Sequence, residues 1–562
     1  MSSKVLVPAV SLILVVGVAL GVVAVVNHSG GSSSSEEKSS AHVKAVAAVC
    51  TGATDPKFCQ DSLGKAKSDD PKEYVKTVVQ SALDNVIKVF NMSDRLSVEH
   101  GKSDNGIKMA LDDCKDLLQS ATHELEASIQ MVHEKDLNAI IKENSAELKN
   151  WLGAVIAYQQ SCMEGFDTDG EKKVQDQLNS GGQLDDVGKI TGLALDVVTG
   201  VSQLLSSLNL NLNLKPGSRR LLDIDSQGMP TWLSAADRKL LSDLDAAGSP
   251  NAVVAKDGSG QFNTIQAALD SYPKNHQGRF VIYVKEGVYD EYITVGKKQT
   301  NIFMYGDGMT KTIITGKKSY ASGWKTMRTA TFSVVGEGFL CKGIAFENTA
   351  GAKGHQAVAL RVQSDRSAFF ECAMHGYQDT LYAHAHRQYY RDCEISGTID
   401  FIFGYSTTLI QNSKIIVRKP ESNQQNIVVA DGTVEKNMPT GIVLQNCQIV
   451  ADPELAADKT IRSYLARPWK DYSRAIFMES NIGDFIQPEG WLTWNGDLYL
   501  QTCFFAEYAN TGPGANTAQR AKWGKGVLSS DDAARYTAGR WLQASTWLPA
   551  TGVPFTAGFT KA

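Results

Sequence analysis

The 562-residue sequence predicts two folds in succession, an all-α four-helix bundle followed by an all-β right-handed parallel β-helix. Three observations carry this prediction. Apolar residues recur three and four positions apart through residues 42–207. A stretch containing Pro216, Gly217 and the pair Arg219-Arg220 then breaks the pattern. Beyond Asn251 the chain falls into short β-rich runs in which a segment repeats at about 20 residues, with longer insertions.

Taken in chain order, the first element is Val5–Val26, 22 residues without a charge, preceded by Lys4 and followed by a Gly/Ser-rich tether, Gly30–Ser35. It is long enough to cross a bilayer and predicts a signal anchor within residues 1–30. Whether anchored or cleaved, such a segment sends the following chain into the secretory lumen, where disulfides persist. Asn27-His28-Ser29 and Asn91-Met92-Ser93 are glycosylation sequons, a triplet common by chance.

Residues 42–207 carry apolar stripes such as Val75-Val78-Val79-Ala82-Leu83-Val86 and Leu117-Leu118-Ala121-Leu125, the pattern of an antiparallel bundle. Its four cysteines allow three pairings. Proximity favours Cys50 with Cys59, leaving Cys114 to tie two later helices through Cys162. Residues 208–248 form a linker, and Arg219-Arg220 is either a processing site or a solvated charge pair. Residues 1–248 hold 24 Lys+Arg against 33 Asp+Glu, and residues 249–562 hold 32 against 28, so the halves carry −9 and +4. That difference alone selects no partner.

In residues 249–562, Arg279–Val284 and Asn301–Tyr305 read as strands. Five segments align on Cys341, Cys372, Cys393, Ser413 and Cys447, with spacings of 31, 21, 20 and 34. Such recurrence marks a solenoid whose coils bury their apolar faces on one another. An antiparallel sandwich would not return one residue type to one phase.

The repeat locates the chemistry. Asp379 and Asp400 each fall seven residues after a repeat cysteine, Cys372 and Cys393. Equal phase stacks them on neighbouring coils with backbones about 4.8 Å apart. Two carboxylates that close do not ionise together cheaply, so one is a candidate acid/base and the other a candidate nucleophile. An Asp in a turn ordinarily satisfies its own backbone. Here the flanking residues are Tyr377, Leu381, Tyr382, Phe401, Ile402 and Phe403, among which an unpaired carboxylate is costly. Arg467 supplies a cation for the ionised member.

Four blocks in order, QAVALR (356–361), GYQDTLY (376–382), GTIDFIFG (397–404) and LARPWKDY (465–472), resemble the signature blocks of plant pectin methylesterases. GVYDEY, around Tyr289 and Glu291, is similar to a further block of that family. The resemblance runs from about Ser249 to the C-terminus. The helical segment resembles the inhibitor-like pro-region of many members, and Arg219–Leu222 resembles their processing site, which favours cleavage there.

The resemblance implies hydrolysis of methyl esters of homogalacturonan (pectin), releasing methanol. Asp400 matches the nucleophile, Asp379 the proton donor, and Gln378 and Gln356 the amides that steady the oxyanion and bind substrate. Arg467, Trp469 and Thr326 match substrate contacts, Arg467 also orienting Asp400. Phe403 and Trp491 are aromatic candidates for sugar stacking, with burial in the core as the competing reading. The resemblance also implies an autoinhibitory pro-region, a processing protease, a proteinaceous pectinesterase inhibitor as partner, and the cell wall as destination. It implies no cofactor, metal or nucleic acid. Two departures stand out. Tyr405-Ser406-Thr407 replace the usual Asn and two alanines, and Ser413 replaces a cysteine, so the family disulfide from Cys393 cannot form. Cys341, Cys372, Cys393, Cys447 and Cys503 therefore leave at least one thiol unpaired within this domain.

Other chemistries fit less well. No GxSxG elbow occurs. His384-Ala385-His386 has no HExxH or CxxC beside it to complete a metal site. Polygalacturonases and pectate lyases share the expected solenoid and substrate but not this Gln and Asp arrangement. A non-catalytic pectin binder would release no methanol.

Overall fold

The computed structural model describes residues 35–64, 66, 70–100, 105–207 and 250–561. The expected anchor at Val5–Val26, the sequon at Asn27, the linker and Arg219-Arg220 lie outside the described residues. Among the described residues no helix is long and apolar enough to cross a membrane. The chain divides into two compact units, one helical and one made of parallel strands.

The helical unit comprises α1 (Ser35–Cys50), α2 (Pro56–Leu63), α3 (Pro71–His100), α4 (Asn105–Glu134), α5 (Ser145–Glu164), α6 (Asp169–Leu178) and α7 (Gln183–Ser207). Helices α3, α4, α5 and α7 pack as a four-helix bundle. The stripe Val75, Val78, Val79, Ala82, Leu83 and Val86 is buried on α3, and Leu117, Leu118, Ala121 and Leu125 on α4. Each large aliphatic chain so buried contributes about 1.5–3 kcal/mol. Local signals set the starts. Asp55 caps α2 by accepting from Phe58 N–H, with Pro56 at the first helical position. Thr168 and Glu171 form a capping box on α6. Disulfides join Cys50 to Cys59 and Cys114 to Cys162, the second clamping α4 to α5. In the second sequon Asn91 is exposed, while Ser93 is buried and donates to the Leu111 carbonyl.

The second unit is a parallel β-helix of three sheets with ten, seven and eight strands. Ala373 pairs with Glu394, Glu394 with Lys414, and Lys414 with Gln448, so Cys372, Cys393, Ser413 and Cys447 share one phase. Cys341 does not belong to that column. It lies within a strand of the ten-stranded sheet and pairs with Phe369, so the residue in phase with Cys372 is Ile344. Both cysteines fill the same apolar interior, one from a strand and one from a turn, and the similarity of GFLCKGIAF to FFECAMHGY hides a three-residue slip.

Inside, aromatic rings pack on one another: Phe369 stacks on Tyr390 of the next coil at 5.0 Å, and Phe332 meets Phe346 at a tilt across the interior at 4.9 Å. Such pairs add about 0.5–1.5 kcal/mol each beyond their buried area. One corner repeats a left-handed residue, Glu371, Asp392, Asn412, Asn446 and Glu479, with φ of 52°, 50°, 56°, 53° and 53°. Asn and Asp tolerate this region best because their short side chains bond locally. The C-terminal segment lies outside the ten-stranded sheet, packing Leu542, Trp547 and Leu548 into a cluster with Leu409, Val443 and Ile476.

Cys341, Cys372, Cys393, Cys447 and Cys503 are all free and buried. Ser413 Oγ accepts from Cys393 N–H at 3.0 Å and donates to the Gln411 carbonyl at 3.1 Å. Ser413→Cys would put a thiol one coil from Cys393, and paired strands about 4.8 Å apart lie within the Cα separation a disulfide accepts. The variant carries six cysteines in this unit against the parent's five, and is expected to titrate four thiols where the parent titrates five and to unfold at higher temperature. Closing a loop of this length contributes up to about 3 kcal/mol, reduced by about 1 kcal/mol for each hydrogen bond given up. Thiol titration and thermal unfolding with and without reductant check this. A count of six, one more than the parent, would mean that the two positions do not meet.

Candidate active site

The seven-stranded sheet brings the candidate residues together. Asp379 precedes the strand Leu381–Ala383 and Asp400 precedes Ile402–Gly404; Leu381 pairs with Ile402, which gives the two aspartates equal phase. The Asp379 N–H donates to the Ile399 carbonyl at 3.0 Å, so the coils remain in register up to the carboxylates. Both residues are left-handed, with φ of 63° and 50°. Gly404 ends the strand after Asp400 at φ 138°, and a Cβ there would lie 1.9 Å from the Ala383 carbonyl oxygen. Only glycine lets the coils approach this closely at that point.

Arg467 arrives from two coils further on. The strand Asn426–Asp431 lies between Ile402–Gly404 and Ser463–Ala466, and Arg467 N–H donates to Val429 O at 3.1 Å. Across that strand its guanidinium forks onto Asp400: Nε donates to Oδ1 at 2.8 Å and Nη2 to Oδ2. The planar fork matches a carboxylate on both oxygens, which fixes orientation as well as charge. The guanidinium also lies 4.3 Å from the ring centroid of Trp494.

Both aspartates are buried, at 8% and 7% exposure, but their partners differ. Asp379 is not on the Arg467 fork. Burial pushes its carboxyl well above the usual carboxylate range, the charge of Asp400 adds to this, and Arg467 opposes it. The pair is therefore asymmetric, one carboxylate locked to a cation and the other disposed to keep a proton.

The amides lie on successive coils. Gln378, half-buried, lines a cleft of about 460 Å³ with Arg467, Ile399, Ile427, Gln424, Gln425, His355 and Trp494 among its walls. Gln356 is half-buried one coil earlier, where Ala357 N–H donates to Gln378 O at 3.1 Å. Thr326 heads the short helical turn Thr326–Thr329, whose Thr329 Oγ1 accepts from Val358 N–H at 2.9 Å, close to Gln356 in sequence. Phe403 stacks on Tyr382 with centroids 4.4 Å apart and meets the edge of Trp469 at 6.0 Å. Trp469 is half-buried and also lies 4.9 Å from Tyr405.

Trp491 is placed elsewhere. It is buried in the solenoid core against Phe477 and Phe505, because its backbone bridges to Ala466 and its ring points inward. Trp494, three residues on, faces the cleft instead. The segment EGWLTWNG has no periodicity that would distinguish the two tryptophans from sequence, and His355 lies in an equally irregular loop. His384 is fully buried, accepts from Arg361 Nε at 3.1 Å and stacks on Tyr382 at 4.4 Å. Among the described residues no three His, Cys, Asp or Glu side chains are grouped to hold a metal ion.

Known proteins match both units. Residues 251–545 match the Pectinesterase family, and residues 44–197 match the family described as plant invertase/pectin methylesterase inhibitor. A probable pectinesterase/pectinesterase inhibitor from Brassica napus is 40% identical over 587 residues, covering 99% of each chain. Pectinesterase 4 from Arabidopsis thaliana is 39% identical, covering 99% of this chain and all of its own. Among solved structures, pectin methylesterase from carrot is 45% identical and superposes with a TM-score of 0.55, covering 56% of this chain and 99% of that one. With a β-helix that stacks Asp379 on Asp400 and relatives similar along nearly the whole length, this chain belongs to the pectinesterase family, in the plant form that joins an inhibitor-like helical domain to a pectinesterase catalytic domain.

Proposed function

We propose that this pectinesterase cleaves the methyl esters of homogalacturonan with Asp400 as nucleophile and Asp379 as acid/base. One observation carries the assignment: of two stacked buried carboxylates, only Asp400 is forked onto Arg467, while burial and the neighbouring charge favour the proton on Asp379. An Asp400 oxygen attacks the ester carbonyl carbon, and negative charge develops on the carbonyl oxygen. The side-chain amides of Gln378 and Gln356 donate to that oxygen. As the tetrahedral species collapses, Asp379 gives its proton to the departing methoxy group, methanol leaves, and an acyl-enzyme anhydride remains. Asp379, now a carboxylate, takes a proton from water, whose oxygen attacks the acyl carbon. The galacturonate is released, Asp400 is regenerated and Asp379 is again protonated. Arg467 orients Asp400 throughout, while Trp469, Phe403 and Thr326 seat the sugar chain.

The remaining assignments rest on sequence. Residues 1–30 act as a signal anchor that directs the chain to the cell wall, residues 42–207 as an inhibitory pro-domain, and residues 208–248 as a linker cut by a processing protease at Arg219-Arg220. Residues 249–562 form the catalytic domain and are a target for a separate proteinaceous inhibitor. Similarity of residues 44–197 to inhibitor proteins supports the pro-domain role.

Asp400→Asn and Asp379→Asn are each expected to abolish most methanol release from methylated pectin while the fold survives. Loss of the nucleophile blocks acylation; loss of the acid slows both steps. Full activity in Asp400→Asn would overturn the mechanism.

Stability gives an independent check on Asp379. A carboxyl whose folded pKa is raised favours the fold below its unfolded value near 3.8, and that contribution is lost as pH rises through the folded pKa. Asp379→Asn should therefore unfold at a higher temperature than the parent at neutral pH, with the gain vanishing below about pH 4. A gain independent of pH would point to packing instead.

Gln356→Ala is expected to lower kcat by on the order of 10²-fold, the loss of one oxyanion donor. Trp469→Ala should act mainly on KM, because a stacking face serves the bound sugar equally before and during reaction. Steady-state kinetics on the same pectin separates the two.

A further inference from the structure

Asp431 is fully buried, and its Oδ2 has no hydrogen-bond partner. A buried polar atom of this kind requires a reason, because folds ordinarily satisfy or remove such groups. Its other atoms suggest one. Oδ1 accepts from the backbone N–H of Arg474 at 2.6 Å and of Thr433 at 3.1 Å, and its carbonyl accepts from Ser473 Oγ at 2.5 Å. Ser473 Oγ in turn accepts from Lys470 N–H at 2.9 Å, and Tyr472 N–H donates to Thr433 O at 2.9 Å. These bonds anchor the far end of the 467–474 loop. The near end is held by Arg467 N–H on Val429 O. Both ends thus rest on the strand Asn426–Asp431 and its turn, with Arg467 and Trp469 between them.

The seat beneath the loop is equally constrained. Gly432 N–H donates to Gly404 O at 2.7 Å, and a Cβ on Gly432 would come within 2.5 Å of Tyr405 and 3.0 Å of the Trp469 ring. The turn after Asp431 therefore admits the tryptophan at contact distance. The Arg474 charge favours the ionised Asp431 carboxylate only slightly, since its guanidinium is engaged with the Thr440 carbonyl and lies 5.8 Å from the Trp541 ring centroid. Burial nonetheless pushes Asp431 up to about 6. A carboxylate kept in so unfavourable a place, joining its own turn through Thr433 N–H to the far end of the loop through Arg474 N–H, ties the two together.

We propose that Asp431 is a positioning residue: its Oδ1 and carbonyl oxygen hold the 467–474 loop in the conformation that delivers Arg467 to Asp400 and Trp469 to the rings of Phe403 and Tyr405. Asp431 touches neither substrate nor the reacting carboxylates. The proposal rests on the roles given above to Arg467, Asp400 and Asp379. A loosened loop withdraws the guanidinium that opposes the raised pKa of Asp379, so the pH at which Asp379 loses its proton moves upward.

The test compares Asp431→Ala with Asp431→Asn in the full-length protein, measuring methanol release against pH and thermal unfolding. Asparagine keeps the Oδ1 acceptor and alanine removes it. Asp431→Ala is expected to lower kcat/KM about 10- to 100-fold, as displacements near 1 Å do at a catalytic group, and to move the alkaline limb of the pH profile upward. Asp431→Asn should stay within about threefold of the parent with an unmoved limb. A folded Asp431→Ala with the parent's kinetics and pH profile would overturn the proposal, as would an Asp431→Asn as impaired as Asp431→Ala. If Asp431→Ala does not fold, Ser473→Ala, which removes only the hydroxyl joining the loop to the Asp431 carbonyl, should move the limb in the same direction; an unmoved limb again overturns the proposal. Asp400→Asn assayed in parallel isolates the underlying mechanism: if it retains activity, the roles of the carboxylates fail and not only that of Asp431.

Discussion

Backbone pairing between successive coils fixes the separation of Asp379 and Asp400 before any side chain takes part. Leu381 pairs with Ile402, and the Asp379 N–H reaches the Ile399 carbonyl, so the aspartates stand as near as two strands of one sheet allow. Everything electrostatic about the site follows from that enforced proximity. Two buried carboxylates at this spacing oppose each other, and neither is able to move away without breaking the ladder. The conflict is resolved by a fourth coil, from which Arg467 reaches over the intervening strand and forks onto Asp400. Asp379, left with burial and a neighbouring charge, is then the member that holds a proton.

The same logic explains why the surrounding residues are so restricted in shape. Gly404 permits the close approach of two coils, and Gly432 permits the Trp469 ring to settle on the third. The aromatic series Tyr382, Phe403 and Trp469 packs ring against ring over the sheet beside the carboxylates. Positioning energy at this site comes largely from main-chain hydrogen bonds, which are less adjustable than side-chain contacts.

Much of this was legible in the sequence because a solenoid writes spatial neighbours at a fixed sequence distance. The equal phase of Asp379 and Asp400 needed only two aligned repeats, and the bundle stripes on α3 and α4 needed only their 3.6-residue period. Cys341 shows the limit: a strand cysteine and a turn cysteine resemble each other in local sequence, and only the hydrogen-bond ladder reveals that Ile344 is the residue in phase. Trp491 and Trp494 were indistinguishable for a related reason, since the segment carrying them has no regular alternation to separate inside from outside. Asp431 was invisible because its importance lies in backbone donors contributed by residues about forty positions later, and no local pattern records those.

Coil lengths differ in this β-helix, and the extra residues do not fall at random. The ladder steps from Glu394 to Lys414 and from Lys414 to Gln448 enclose very different lengths of chain, yet the strands align equally well. Surplus chain is looped out beside the seven-stranded sheet: residues 349–359, which hold Gln356, and 418–425, which hold Gln424, lead into its strands, and 432–440 leave one. The floor of the cleft therefore behaves as a ruler and its walls as interchangeable parts. A lineage of such folds is free to reshape the cleft walls by trading loops, while the distance between the paired aspartates stays the same.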